Sequence, residues 1–231
     1  MTACADHDLW LFAYGSLMWR PGFPHAEARR ARLTGYRRAY CIYSVHHRGR
    51  PERMGMVLGL DRGGACAGVA YRIAAADVAA ARAYLRAREL VNGVYREALL
   101  PIELAHAPGG APVEAMALAF IVERAHPSYA GRLPPLLQAR LIRGASGLSG
   151  ANLDYLVSTV RHLIDLGIRE RELERLVNMI GPLAWQRACA RHTSPYAAAL
   201  LRAAQRWRSP VRVRAGKADR QRFLFRQKLG P

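Results

Sequence analysis

Apolar and polar positions divide the chain into two regimes. Up to about residue 122 the apolar residues come in short runs broken by glycine, proline and charged clusters; from about residue 135 they recur at helical spacing. Leu9-Trp10-Leu11-Phe12-Ala13-Tyr14 is an unbroken apolar and aromatic run, the pattern of a strand buried on both faces. Residues 35–45, rich in aromatic and β-forming side chains, predict a second strand, and a basic loop follows at 46–53. Residues 56–61 and 68–73 predict two more strands separated by a Gly63-Gly64 turn. Asp77 can cap a helix that runs to about residue 90 and stops at Asn92-Gly93. Residues 95–104 and 113–122 then form a strand pair around Pro108-Gly109-Gly110.

The second regime predicts helices at 135–143, 151–166 and 169–180, the last closed by Gly181-Pro182. In the middle one Leu153, Leu156, Val160, Leu163 and Ile164 share a face, and Gly167 ends it. Ser194-Pro195 has the order of N-cap and N1 for a further helix reaching Trp207, and the stretch from Ser209 onward is basic and low in aliphatics. Strands, one helix, more strands and then helices suit an α+β fold with a barrel-like sheet rather than repeated βαβ units. There is no internal repeat.

Two places carry candidate chemistry. Gly15-Ser16 interrupts the first strand, and a turn there leaves consecutive backbone N–H groups unpaired, a nest suited to a carboxylate; an ordinary strand end is the alternative. In the predicted 77–90 helix the apolar stripe is Val78, Ala81 and Leu85. At about 100° per residue, Glu89 lies about 40° from Leu85 and continues that stripe. Burial and the negative end of the helix dipole both raise a carboxylate's basicity, which a general base needs. The alternative is a salt bridge to Arg82, Arg86 or Arg88.

Composition narrows the classes without choosing among them. No apolar stretch is long enough to cross a bilayer, and residues 1–8 lack a basic segment followed by an apolar core, so the chain reads as soluble with no secretory signal. Cys4, Cys41, Cys66 and Cys189 are scattered with no CxxC spacing, which argues against disulfides and for the cytoplasm. The net charge of +18 suits nucleic acid, an anionic surface, the steering of small anions, or a plain preference for arginine. Ser16 lacks the Gly-x-Ser-x-Gly elbow, His46-His47 project divergently, Glu103-x-x-His106 has no second copy, and no phosphate loop is present. Aromatics are not interleaved with the basic tail in a stacking pattern, so no nucleic-acid partner is expected. An enzyme with these residues works by proton transfer and positioning, with no metal or cofactor.

Several stretches together resemble the ChaC-like, glutathione-specific γ-glutamylcyclotransferases. They are Phe12-Ala13-Tyr14-Gly15-Ser16-Leu17-Met18-Trp19 with Pro21-Gly22-Phe23, Ser44-Val45-His46-His47-Arg48-Gly49, Val57-Leu58-Gly59-Leu60 and Gly68-Val69-Ala70-Tyr71-Arg72. Tyr84-Leu85 ahead of Arg88-Glu89, His126-Pro127-Ser128-Tyr129-Ala130-Gly131 and the run from Ser146 to Leu156 complete the set, in unbroken order from about residue 9 to about 180. The resemblance implies a small closed mixed β-barrel with packed helices and a helical C-terminal part, named γ-glutamylcyclotransferase-like. It also implies a cofactor-free lyase that converts glutathione to 5-oxoproline and cysteinylglycine.

On that likeness Glu89 matches the catalytic glutamate. Ala13, Tyr14, Gly15, Ser16, Leu17 and Met18 form the substrate loop, Tyr129 matches a tyrosine near the substrate, and Tyr95 lines the same pocket. The expected division is a catalytic domain over 1–180 and a basic, partly helical extension over 181–231, in a monomer. Two alternatives stay open: a cyclotransferase for other γ-glutamyl amines or dipeptides, and a non-catalytic basic binding protein on the same scaffold. His46, His47 and Arg48 match the family without a role that the sequence assigns.

Overall fold

Strand β1 (Leu9–Ala13) is the seam of the sheet in the computed structural model, which describes residues 7–105, 111 and 113–180. Leu11, Phe12 and Ala13 are at most 1% exposed, as the unbroken apolar run requires. β1 lies antiparallel to β3 (Gly55–Ile73) on one edge and parallel to β5 (Val113–Val122) on the other. With β2 (Glu27–Ser44) and β4 (Tyr95–Leu104) the order β1-β3-β2-β4-β5 closes into a mixed barrel.

β2 and β3 are longer than the sequence pattern suggests, at 18 and 19 residues. Gly63-Gly64 is therefore not a turn between two strands. Register runs from Thr34↔Ala65 to Tyr36↔Arg62, so both glycines stand against Gly35 alone in a bulge. Their positive φ, 99° and 74°, supplies the bend that mimics a turn in the sequence while β3 continues through it. The pair β4–β5 has the expected bounds.

Helix α1 (Ala75–Glu89) begins two residues earlier than the expected Asp77 cap, and Asp77 sits in its first turn instead. Its buried residues are Val78, Ala81 and Leu85, which is the stripe read from the sequence. α2 (Pro135–Gly144), the two-residue strands β6 (Ser146–Gly147) and β7 (Gly150–Ala151), α3 (Asn152–Asp165) and α4 (Arg171–Ile180) follow. α2 and α3 contact each other, α4 and strand β3. The loop at 108–110, the Gly181-Pro182 stop, the helix expected after Ser194 and the basic segment beyond lie outside the described residues. No helix among the described residues is long and apolar enough to cross a membrane.

Asn152 fastens α3 to the barrel. Fully buried, it accepts from the Met56 N–H and donates to the Met56 carbonyl, 2.7 Å each, as a neighbouring strand would. Asn152→Ala leaves two buried backbone groups without partners, and urea unfolding should register a loss of about 2–3 kcal/mol. A loss within experimental error would contradict this role.

Candidate active site

The chain leaves β1 at Ala13 and turns tightly over Ser16–Met18. Met18 N–H donates to the Gly15 carbonyl and Arg20 N–H to the Ser16 carbonyl, both at 2.9 Å. The N–H groups of Gly15, Ser16 and Leu17 have no acceptor among the described residues. Leu17 and Met18 are buried and offer only their backbone, while Ser16 is half-buried. Tyr14 donates its hydroxyl to the Phe120 carbonyl at 2.9 Å, and Tyr71 donates to the Met18 carbonyl at 2.7 Å.

Beneath this turn lies Arg38, whose side chain is fully buried. It donates to the carbonyls of Tyr14 and Ala67 and pairs with Glu170 at the start of α4. A guanidinium there ties the carbonyl that leads into the turn to β3 and to Glu170. On the other flank Gly22 has φ 75°, and a Cβ there would fall 2.1 Å from the Tyr84 hydroxyl. Only glycine permits that approach of Pro21-Gly22-Phe23 to α1.

Glu89 stands at the last residue of α1 with its side chain 20% exposed. Burial raises its pKa above the ordinary 4.5, opposed by the Arg88 guanidinium 3.0 Å away. Arg82 and Arg86, the other candidate partners, both bind Glu97. Glu89 is thus both on the buried stripe and ion-paired, to Arg88.

The charge of Glu89 reaches the hydroxyls of Tyr14, Tyr95 and Tyr155, which burial already pushes up, Tyr155 to about 12. All three are neutral at physiological pH. Tyr95 donates to the Leu58 carbonyl at 2.6 Å. The Tyr155 hydroxyl lies against Gly15, 3.7 Å from where a Cβ would stand. Turn, carboxylate and tyrosines thus share one neighbourhood.

The structure brings Ala13 to Met18, Glu89 and Tyr95 together, and Tyr129 packs against the same Cys41, Ile42, Val94 and Val122 cluster as Tyr95. The segment around Tyr129 runs along β2, with Tyr43 N–H donating to Ser128 and Ala130 N–H to Cys41, at 2.9 and 2.7 Å. That pairing sets the Tyr129 ring on Cys41, Ile42 and Val122, and its hydroxyl donates to Asp61. Glu89 is not among the charges that shift it; Asp61 and Arg124 are.

Sequence reasoning passed over Tyr155, although it lies in the run from Ser146 to Leu156. The available signal was its spacing from Asn152, three residues along α3, which puts both on one face. It is placed by Arg48, whose guanidinium sits 5.1 Å from its ring centre and donates to the Ser149 and Ala151 carbonyls. His46 and His47 accept from Leu148 and Ser149 N–H through their carbonyls. This gives 46–49 its role: it interlocks with 147–151 and fixes the start of α3. A cavity of about 210 Å³ opens elsewhere, among Tyr36, Arg62, Arg96 and Arg124. Its acid, Glu123, is ion-paired to Arg96 and half-exposed, unlike the more enclosed Glu89. Among the described residues no three His, Cys, Asp or Glu side chains gather to hold a metal.

A closed mixed barrel with this turn at the end of its seam strand is a γ-glutamylcyclotransferase-like fold. In the crystal structure of a yeast γ-glutamylcyclotransferase specific to glutathione, the likeness has a TM-score of 0.64 at 19% identity, covering 88% of this chain and 98% of that one. A family model described as ChaC-like protein matches residues 9–182, and the chain belongs to that family. The glutathione-specific γ-glutamylcyclotransferase of Escherichia coli (strain K12) is 34% identical over 177 residues, covering 76% of this chain and 74% of that protein. The glutathione-specific γ-glutamylcyclotransferase 1 of Mus musculus is 34% identical over 180 residues, covering 76% and 79%.

Arg38→Ala should cost about 3–5 kcal/mol in urea unfolding at neutral pH, because it strands a half-buried carboxylate and two carbonyls. Burial raises the pKa of Glu170 and Arg38 opposes the rise. The penalty therefore shrinks as pH falls and Glu170 takes up a proton. A loss that is small, or equal at pH 7 and pH 4.5, would contradict the pairing.

Proposed function

We propose that this chain is a glutathione-specific γ-glutamylcyclotransferase, a cofactor-independent lyase. The observation that carries the reading is the half-buried Glu89 carboxylate beside the amide-lined 14–18 turn, in a chain whose relatives in Escherichia coli and Mus musculus bear that name. In the reaction the α-amine of the γ-glutamyl unit attacks its own γ-carbonyl. A ring C–N bond forms, the amide C–N bond breaks, and 5-oxoproline and cysteinylglycine separate.

Each step falls to a named group. The N–H groups of Gly15, Ser16 and Leu17 hold the α-carboxylate and so aim the amine. Attack is internal, and well-oriented internal reactions reach effective molarities of about 10⁵ M or more. An ammonium has no lone pair, so Glu89 first takes its proton and later returns it to the departing cysteinyl amine. Tyr14, Tyr95 and Tyr155, neutral beside Glu89, supply walls and hydroxyls without adding charge. The positive field favours capture of an anionic substrate. We place the reaction in the reducing cytoplasm, in keeping with the free buried thiols of Cys41 and Cys66.

Incubation with glutathione, γ-Glu-Ala and γ-glutamyl-lysine should yield 5-oxoproline from glutathione alone. Turnover of the other two instead would move the substrate to γ-glutamyl dipeptides or amines. Salt-sensitive nucleic-acid binding with no turnover would favour a binding protein. Glu89→Gln should lower kcat by about 10²–10⁴ while the melting temperature holds, and an active Gln variant would falsify the mechanism.

The acid limb of the kcat/KM profile should lie above 4.5, since activity needs ionised Glu89 and burial delays that ionisation. A limb at or below that value would contradict it.

A further inference from the structure

Arg88 and Glu89 are neighbours on a helix, and consecutive helical side chains point about 100° apart. Their 3.0 Å contact therefore needs Arg88 to be held back by something else. Its guanidinium Nη1 donates to the Arg20 carbonyl at 3.0 Å and the Tyr84 hydroxyl at 2.9 Å, and Nη2 donates to Ser16 Oγ at 2.8 Å. With Nε on Glu89, four of the five N–H donors of an arginine are spent inside the protein. Two of those partners, Ser16 and Arg20, belong to the turn and its exit; a third, Tyr84, is wedged against Gly22 on the same segment.

We propose that Arg88 is a positioning residue for the reaction, clamping the substrate turn and the Glu89 carboxylate into one fixed geometry. The proposal rests on Glu89 being the proton-transfer group. A planar fork suits the task because it bonds in several directions at once without rotating, which a lysine ammonium on a flexible stem does not. The clamp also joins the two halves of the site, the end of α1 and the turn that follows β1. Its positive charge opposes the rise that burial gives the Glu89 pKa, without drawing the carboxylate off that face of the helix.

The test is steady-state kinetics against pH for Arg88→Gln, Arg88→Lys, Tyr84→Phe and Glu89→Gln, with melting temperatures. Arg88→Gln should lose about 10²-fold in kcat from misplacement, with less effect on KM, and its acid limb should move to higher pH. Arg88→Lys should return the limb toward the parent value, because charge is restored, while kcat stays low. Tyr84 is 37% exposed, so Tyr84→Phe should keep the fold and lose several-fold in kcat through one slackened contact. The proposal is overturned if Arg88→Gln keeps the parent kcat, or loses kcat and melting temperature together with an unmoved limb. Should Arg88→Gln not fold, parent kinetics in Tyr84→Phe overturn it. An inactive Glu89→Gln beside a parent-like Arg88→Gln removes this proposal alone; an active Glu89→Gln removes the reading of Glu89 itself.

Discussion

A carboxylate kept largely out of water at the C-terminal end of a helix is the constraint around which this chain is built. Both influences on Glu89 from its own element, the lost hydration and the helix dipole, oppose its charge. Such a group stays in place only if the helix cannot roll it outward. Leu85, one turn earlier, is fully buried and pins the helix face. Arg82 and Arg86 are drawn off to Glu97, so the carboxylate keeps one cation rather than three. One guanidinium keeps it ionisable without making it the weak base of a fully paired acid.

The large positive charge has a use inside the fold beyond the steering of anions. Arginine side chains here gather backbone carbonyls where the chain leaves regular structure. Arg38 serves Tyr14, Arg48 serves Ser149 and Ala151, Arg30 serves Gly167, and Arg88 serves Arg20. Loop carbonyls have no ladder to join, and burying them unpaired costs free energy. A five-donor fork satisfies several at once and fixes their separation. The 14–18 turn and the start of α3 are both held in this way, so the geometry near Glu89 depends on these arginines.

Much of this was legible from local pattern. The both-face burial of β1, the bounds of β4 and β5, and the Val78-Ala81-Leu85 stripe follow from periodicity alone. Gly63-Gly64 misled because paired glycines serve a bulge as readily as a turn, and only the partner strand decides between them. Asp77 misled because a good capping residue also suits a first turn, where its charge meets the helix dipole. Tyr129 matched a motif, and only the pairing of its backbone along β2 shows that its hydroxyl goes to Asp61. Tyr155 escaped notice because its place depends on Arg48, a hundred residues away in sequence but 5.1 Å from its ring in space.

The most direct measurement is a ¹³C NMR titration of the Glu89 side-chain carboxyl, assigned by its loss in the Gln variant. The account predicts a pKa above the ordinary 4.5, because burial outweighs the single guanidinium beside it. A value at or below 4.5 would mean that Glu89 is solvated or fully neutralised, and would contradict a base made by burial.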